Sequence, residues 1–313
     1  MDFIGGHAER REPDGLRWGV EPICRVLTEH GVRIAPSTCY EWKDKLPTGR
    51  DQRDAVLMGG IVRVWDENFQ VCGAGKVWLQ LNRENIPVAR CTVERLMGVL
   101  GLRGARRGKV GPATCPDGSV LPEDLVNRDF EPSAPNQVWV MDSAYVSTWS
   151  GWVCVAFAID AFARRVLGWR CATTMTAALV VDALDQAAWQ RSRDGHGHEL
   201  PGVRVHSDHG SQYTSIVYGG HVSEAGLVPS TGTVGDSHDN ALAETINGVC
   251  KTELVKRHGP WKGLDHLEYA TAEWVDWHDH RRLYQYCADI PPVEAENRYY
   301  EHNQTPQPVG SPN

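Results

Sequence analysis

The stretch VRVHSDHGSQY, residues 203–213, runs out of an apolar-alternating segment into His206, Ser207, Asp208 and His209, followed by a glycine. Side chains of these types, so close together, admit three readings: a zinc cluster, a structural turn, or one corner of a site completed by distant residues. Two further acids bear on the choice. Asp142 stands in the strand-like run VWVMD, and Glu244 stands in the helix-like run DNALAETINGVCK, 35 residues separating it from Asp208. Carboxylates are the hard oxygen donors that Mg²⁺ prefers, whereas neutral histidine matches that ion poorly. Lys251 follows Glu244 by seven residues, which on an α-helix returns to within ~20° of the same face. One helix would then carry an acid for metal and an ammonium for phosphate. Taken singly, each aspartate reads as a turn or cap residue and Glu244 as an ordinary solvated helix residue.

The elements around these acids decide whether they can meet. QVWVMDSAYVST and GWVCVAFAIDAFARRVLGWR are strand-rich, with a turn near Asp160–Arg164, and Asp160 itself reads as a turn residue that could approach Asp142 across the hairpin. TAALVVDALDQAAWQRS reads as a helix, GVRVHSD as a strand, and HVSEAGLVPSTG as a short helix leading to a strand. A hairpin followed by alternating helices and strands predicts a mixed α/β sheet. In such sheets chemistry gathers beyond the carboxyl ends of parallel strands. Asp142 and Asp208, each near the end of its strand, would face each other if those strands are parallel neighbours. Alternation puts His206 on the side of Asp208 and Ser207 on the other. The helix that bears Glu244 would be capped by Asp239 or Asn240.

Upstream the pattern is helical. Residues 18–45 read as two helices around a turn, Gly31 stopping the first and Ser37 or Thr38 capping the second. Residues 51–102 hold three more, the last with Val93, Met97 and Leu100 at helical spacing, and RGARRGK follows with Arg103, Arg106, Arg107 and Lys109. Helix pairs ending in a basic stretch suit contact with a DNA backbone, although a plain bundle with a solvated basic tail has the same pattern. Charge divides along the chain: residues 1–110 carry 18 Lys/Arg against 14 Asp/Glu, while the net charge of the whole is −8. The organisation expected is a helix-turn-helix-like segment (1–50), a second helical module with a basic end (51–109), a Pro/Gly-rich linker (110–133), a catalytic core with C-terminal helices (134–300) and a disordered tail (301–313). The nine cysteines are scattered with no C-x-x-C pair, which argues against a thiolate zinc site and for buried thiols. No apolar run reaches membrane-spanning length and no signal pattern opens the chain, so a cytoplasmic location is expected.

These stretches resemble the OrfB-type transposases of bacterial insertion sequences, relatives of retroviral integrases. GVEPICRVL…RIAPSTCYEW and VERLMGVLGLRG resemble the family's two helical modules, and NRDFEPSAPNQVWVMD its approach to the catalytic core. HSDHGSQYTS and STGTVGDSHDNALAETINGVCKTEL resemble its second and third acidic motifs, and HDHRRLYQYCADIPPVEAE its carboxyl-terminal signature. The order is kept over residues 18–300. The chain departs from the pattern at DSAY after Asp142, at Cys72 and at His238.

The resemblance implies a ribonuclease-H-like core behind all-α helix-turn-helix-like modules, with Asp142, Asp208 and Glu244 as the catalytic and metal-binding triad for two Mg²⁺ ions (Mn²⁺ as substitute). Asn240 and Lys251 fall at positions that help place DNA. The activity implied is metal-dependent cleavage and strand transfer of DNA; the alternative is a decayed transposase that binds DNA as a repressor. Implied partners are element ends and target DNA, the product of an upstream open reading frame or a fusion with it, and further copies of the chain on DNA, near the bacterial nucleoid. His206 and His209 are left for local hydrogen bonding or DNA-backbone contact, and EWVDWHDHRRLYQY for helix packing.

Overall fold

The computed structural model describes residues 1–43, 46–106, 131–195, 200–208, 210, 212–213, 215–231 and 241–304. The chain forms two compact units, Met1–Gly59 and a second that begins at Gly60. In the first, α1 (Asp2–His7), α2 (Val20–Glu29) and α3 (Pro36–Lys43) pack around Ile4, Ile23, Cys24 and Cys39. Gly31 follows α2 with φ of 89°, the left-handed backbone that glycine adopts without steric cost. Helix α3 begins one residue earlier than the expected caps: Pro36 takes its first position, where proline's fixed φ is pre-set, and Ser37 and Thr38 lie inside the first turn.

Helix α4 (Gly49–Glu67) carries the chain across the boundary between the units. Helices α5 (Ala74–Arg83) and α6 (Arg90–Val99) follow, held through Val77, Leu81, Val93, Leu96 and Met97. The loop after α4 is fastened to distant parts of its own unit. Asn68 accepts a 3.0 Å hydrogen bond from Trp277 Nε1, the carbonyl of Gln70 accepts one of 2.9 Å from Arg257, and Phe69 packs on Trp277 with ring centroids 5.0 Å apart. Lys76 pairs with Asp289 and Arg83 with Glu294. Phe69 and Gln70 both hold positive φ, 55° and 58°, a conformation that costs a non-glycine residue free energy and persists where surrounding contacts impose it.

The sheet has five strands in the order β3-β2-β1-β4-β5: β1 (Val138–Thr148), β2 (Gly151–Asp160), β3 (Arg165–Ala172), β4 (Arg204–Ser207) and β5 (Val228–Thr231). Strands β1 to β3 form an antiparallel meander, and β4 and β5 add in parallel beside β1. Period-two alternation divides β1 and β2 between two cores. Val138, Val140, Val153, Val155 and Phe157 face α9 (Ala241–Cys250) and α11 (Leu264–His280), which the short α10 (Lys256–His258) separates along the chain, and meet Ile246, Trp274 and Trp277. Trp139, Met141, Cys154 and Ala156 face α7 (Ala177–Arg193) and α8 (Ile216–Glu224). Gly168 lets α7 lie directly on β3, since a Cβ there would stand 2.0 Å from the carbonyl oxygen of Ala183.

Asp160 closes β2 as a turn residue, but its carboxylate is buried and turned to structure. It accepts from the amides of Asn136 and Phe162 and pairs at 2.7 Å with Arg191 of α7. In the hairpin it stands opposite Trp139, three residues from Asp142, so it does not join that acid. Arg191 also grips Glu296 of α12 (Pro292–Gln304) at 2.7 Å, and Arg165 holds the same glutamate at 2.8 Å. Burial raises the Glu296 carboxyl, but the hydrogen bonds and charge of Arg191, with those of Arg165, outweigh it and hold the group below its ordinary value. Helix α12 runs to Gln304, four residues into the stretch expected to be disordered. Among the described residues no helix is long and apolar enough to cross a membrane.

Candidate active site

The parallel register of β1 and β4 sets Val140 beside His206. Two residues on along each chain come Asp142 and Asp208, which alternation directs to one side of adjacent strands about 4.8 Å apart. Asp142 is not at the end of its strand. It sits mid-strand, opposite Phe157, because the hairpin partner carries β1 on to Thr148; what ends near Val140 is the parallel pairing. Asp208 lies just past β4, where its Oδ1 accepts from the amide of Gly210 at 2.9 Å.

Each Asp142 oxygen has a described donor. Oδ1 accepts from the amide of Ser143 at 2.8 Å, and Oδ2 accepts from Nδ2 of Asn247, on α9, at 2.5 Å. Asn247 is 5% exposed, and its Oδ1 is buried without a hydrogen-bond partner among the described residues. Position 244 lies three residues before Asn247, on the same helix face. The helix that carries Glu244 is thereby docked on the strand that carries Asp142; the Glu244 side chain is outside the described residues. Beneath the two aspartates, Tyr213 OH meets Ser143 Oγ at 2.8 Å. Burial pushes the Tyr213 phenol well up, and the negative charges of Asp142 and then Asp208 add to the rise, so the hydroxyl stays protonated near both acids.

Residues 132–237 match an integrase core domain, 225–292 a further integrase core domain, and 51–110 a helix-turn-helix-like domain. The chain is 55% identical, over 274 residues, to a putative transposase for insertion sequence element IS986/IS6110 of Mycobacterium tuberculosis, covering 87% of this chain and 98% of that protein. The chain belongs to the DDE transposase superfamily, among the transposases of insertion sequences. It is also 47% identical over 294 residues to the transposase for insertion sequence element IS629 of Shigella sonnei, covering 92% of this chain and 95% of that one. The structure is similar to the HTLV-2 integrase catalytic core domain in complex with magnesium, at 17% identity and a TM-score of 0.41 over 52% of this chain and 98% of that chain. A transposase of this superfamily is a polynucleotidyl transferase that serves DNA transposition.

The remaining expected residues of the transposase distribute as follows. His206 is buried and its Nδ1 meets Ser230 Oγ at 3.0 Å, so it serves local hydrogen bonding. Lys251 is half-buried and opens a π-helical turn, Lys251–Val255, directly after α9; the backbone is α-helical from Glu244 to Cys250, but the regular spacing stops where the lysine begins. Arg103 and Arg106 are exposed, in a segment pinned to the loop after α4 by the Ala105 amide and the Val71 carbonyl at 2.9 Å. They are not part of the carboxylate site. Arg107, Lys109, His209, Asn240 and Asp239 lie outside the described residues. Asn247, Ser143 and Tyr213 were not among the expected site residues. For Asn247 a signal existed, its i+3 spacing from Glu244.

Proposed function

We propose that this transposase cleaves DNA at element ends and joins them to target DNA with Asp142, Asp208 and Glu244 as its metal-holding acids. The observation that carries this reading is the shared register of β1 and β4, whose parallel pairing ends two residues before both Asp142 and Asp208, with α9 docked on Asp142 through Asn247. The donor set fits Mg²⁺ or Mn²⁺. Asp142 and Asp208 are half-exposed carboxylates, each retaining acceptor capacity beyond its N–H donors, and hard oxygen ligands suit these ions. Two ions bound by the three acids would supply activation of the attacking oxygen and stabilisation of the leaving oxygen.

The chain's own residues do the rest. Asn247 and the Ser143 amide fix the Asp142 carboxylate in one orientation. The Gly210 amide does the same for Asp208, and protonated Tyr213 keeps the floor of the site neutral. Water is the nucleophile for nicking and a DNA 3′-hydroxyl for strand transfer, and no protein–DNA covalent bond forms. Lys251, Asn240, Arg103, Arg106, Arg107 and Lys109 contact the DNA backbone, and the protein acts as an oligomer on DNA with the upstream open-reading-frame product or fused to it. The division at 50, 109, 133 and 300 belongs to the same proposal.

The test bypasses recognition of element ends. A pre-branched DNA oligonucleotide is incubated with the chain, and with Glu244→Gln, in Mg²⁺ or Mn²⁺, and strand resealing is measured. Resealing by the intact chain alone is expected. Binding of the branched DNA with no product from either protein overturns the assignment and leaves a DNA-binding repressor.

A further inference from the structure

Two of the three helices of the first unit, α2 and α3, each bring one cysteine to their contact. Cys24 of α2 and Cys39 of α3 are 2% and 8% exposed, and their Sγ atoms are 3.5 Å apart. Among the described residues no other pair of thiols is in such contact. A disulfide needs about 2.05 Å, so roughly 1.5 Å of closure joins them. Cys39 also lines a cavity of about 470 Å³ with Trp18, Tyr40 and Trp42, and the last two are exposed. A small reagent therefore has a way to Cys39 that it lacks to Cys24.

The geometry points to a redox-convertible site: Cys24 and Cys39 form a reversible disulfide that staples α2 to α3 when a small disulfide oxidant such as glutathione disulfide is present. The Cys39 thiol loses its proton to solvent, and the thiolate attacks one sulfur of the oxidant, forming a mixed disulfide and expelling one glutathione thiolate. The Cys24 thiol then loses its proton and attacks the Cys39 sulfur, expelling the second glutathione. Two protein thiols are oxidised, one oxidant disulfide is reduced to two thiols, and the released protons return to the expelled thiolates. Burial, then the neighbouring Cys39, raises the Cys24 thiol, which fits Cys24 as the second, intramolecular partner, where proximity replaces thiolate abundance. The staple closes a loop of about fifteen residues, a length at which cross-linking markedly restricts the unfolded chain. Under reducing conditions the shared core alone holds α2 to α3; under oxidising conditions a covalent bond is added. None of this depends on the carboxylate site.

The full chain is treated with glutathione disulfide or with dithiothreitol, remaining thiols are alkylated, and the peptides are mapped by mass spectrometry. Exposed Cys91 reports that the oxidant is competent by taking up glutathione. The expected result is one cross-linked peptide pair, Cys24–Cys39, reversed by dithiothreitol. Cys24→Ser should leave glutathione on Cys39 and no cross-link. On the unmutated chain, hydrogen exchange of amides in residues 20–43 should slow on the order of 100-fold after oxidation, which needs no variant to fold. Free Cys24 and Cys39 in protein whose Cys91 carries glutathione overturn the proposal, as does a cross-link of either to another cysteine.

Discussion

Replacing Asn247 with alanine tests whether the contact between α9 and β1 is part of the chemistry or only of the packing. The substitution removes the 2.5 Å hydrogen bond from Nδ2 to Asp142 Oδ2 and leaves the 2.8 Å bond from the Ser143 amide to Oδ1. A hydrogen bond to a charged group contributes about 1.5–3 kcal/mol. At ~1.36 kcal/mol per tenfold in rate, full loss in the transition state lowers strand resealing about 10- to 150-fold. The loss is partial because one of the two described supports of Asp142 survives, whereas Glu244→Gln removes a proposed ligand and should abolish product. Asp142 would also hold its ions less well, so half-maximal activity should need more Mg²⁺. The assay is resealing of pre-branched DNA over a Mg²⁺ titration, normalised to folded protein by denaturant unfolding, where the variant should lose about 1–2 kcal/mol. Resealing within threefold of the parent at all Mg²⁺ concentrations, with the expected stability loss, would refute the role given to Asn247.

The buried network around Arg191 predicts that Glu296→Gln costs about 3–5 kcal/mol, since it strips a partner from two buried guanidinium groups. Because the folded-state value of Glu296 is depressed below its ordinary 4.5, its contribution is present above that pH and fades as pH falls through the folded value; the stability gap between parent and variant should therefore narrow below about pH 4.5 in acid denaturation. Gly168→Ala should lower stability by about 3 kcal/mol or more, a fall in Tm of roughly 6–12 °C by calorimetry, because its methyl meets the Ala183 carbonyl. Saturating Mg²⁺, at about 100 times its Kd, should stabilise the parent by about 2.7 kcal/mol. Asp142→Asn and Asp208→Asn should lose that thermal shift.

The strands were legible as β-rich apolar runs, VWVM of β1 and VCVAFAI of β2, buried on both faces, and the period-two geometry of a strand then says which residues share a face. That logic put Asp142 and Asp208 on one face only on the condition that their strands are parallel neighbours, which the β1–β4 pairing meets. The strand-rich run QVWVMDSAYVST matched β1 to Thr148, but Asp142 was expected near its strand's end, and only the hairpin partner shows that it lies mid-strand. Helix spacing placed Glu244 and Lys251 together, but no feature of KTELV announces a π-helical turn. Asn247 was not singled out: its i+3 spacing from Glu244 gains meaning only with α9 packed against β1. Nothing in the sequence marks Arg165, Arg191 and Glu296 as partners; only tertiary packing, which joins the arginines to a glutamate more than a hundred positions away, makes them one buried cluster. In α3, Pro36 overrode the cap expected at Ser37 or Thr38.

The fastening of the loop after α4 has a metrical consequence. Trp277, Arg257, Asp289 and Glu294 all grip residues between Asn68 and Arg83, so the segment bearing Arg103 and Arg106 is tied to the same body as the carboxylates. Such a molecule is a caliper with its jaws fixed. On the proposed reading, the distance from the backbone contacts to the scissile phosphate is set by protein rather than by a flexible tether, and each base pair inserted between them displaces the cut by about 3.4 Å and a tenth of a helical turn. Element ends would then tolerate substitution between those two points far better than they tolerate a change in length.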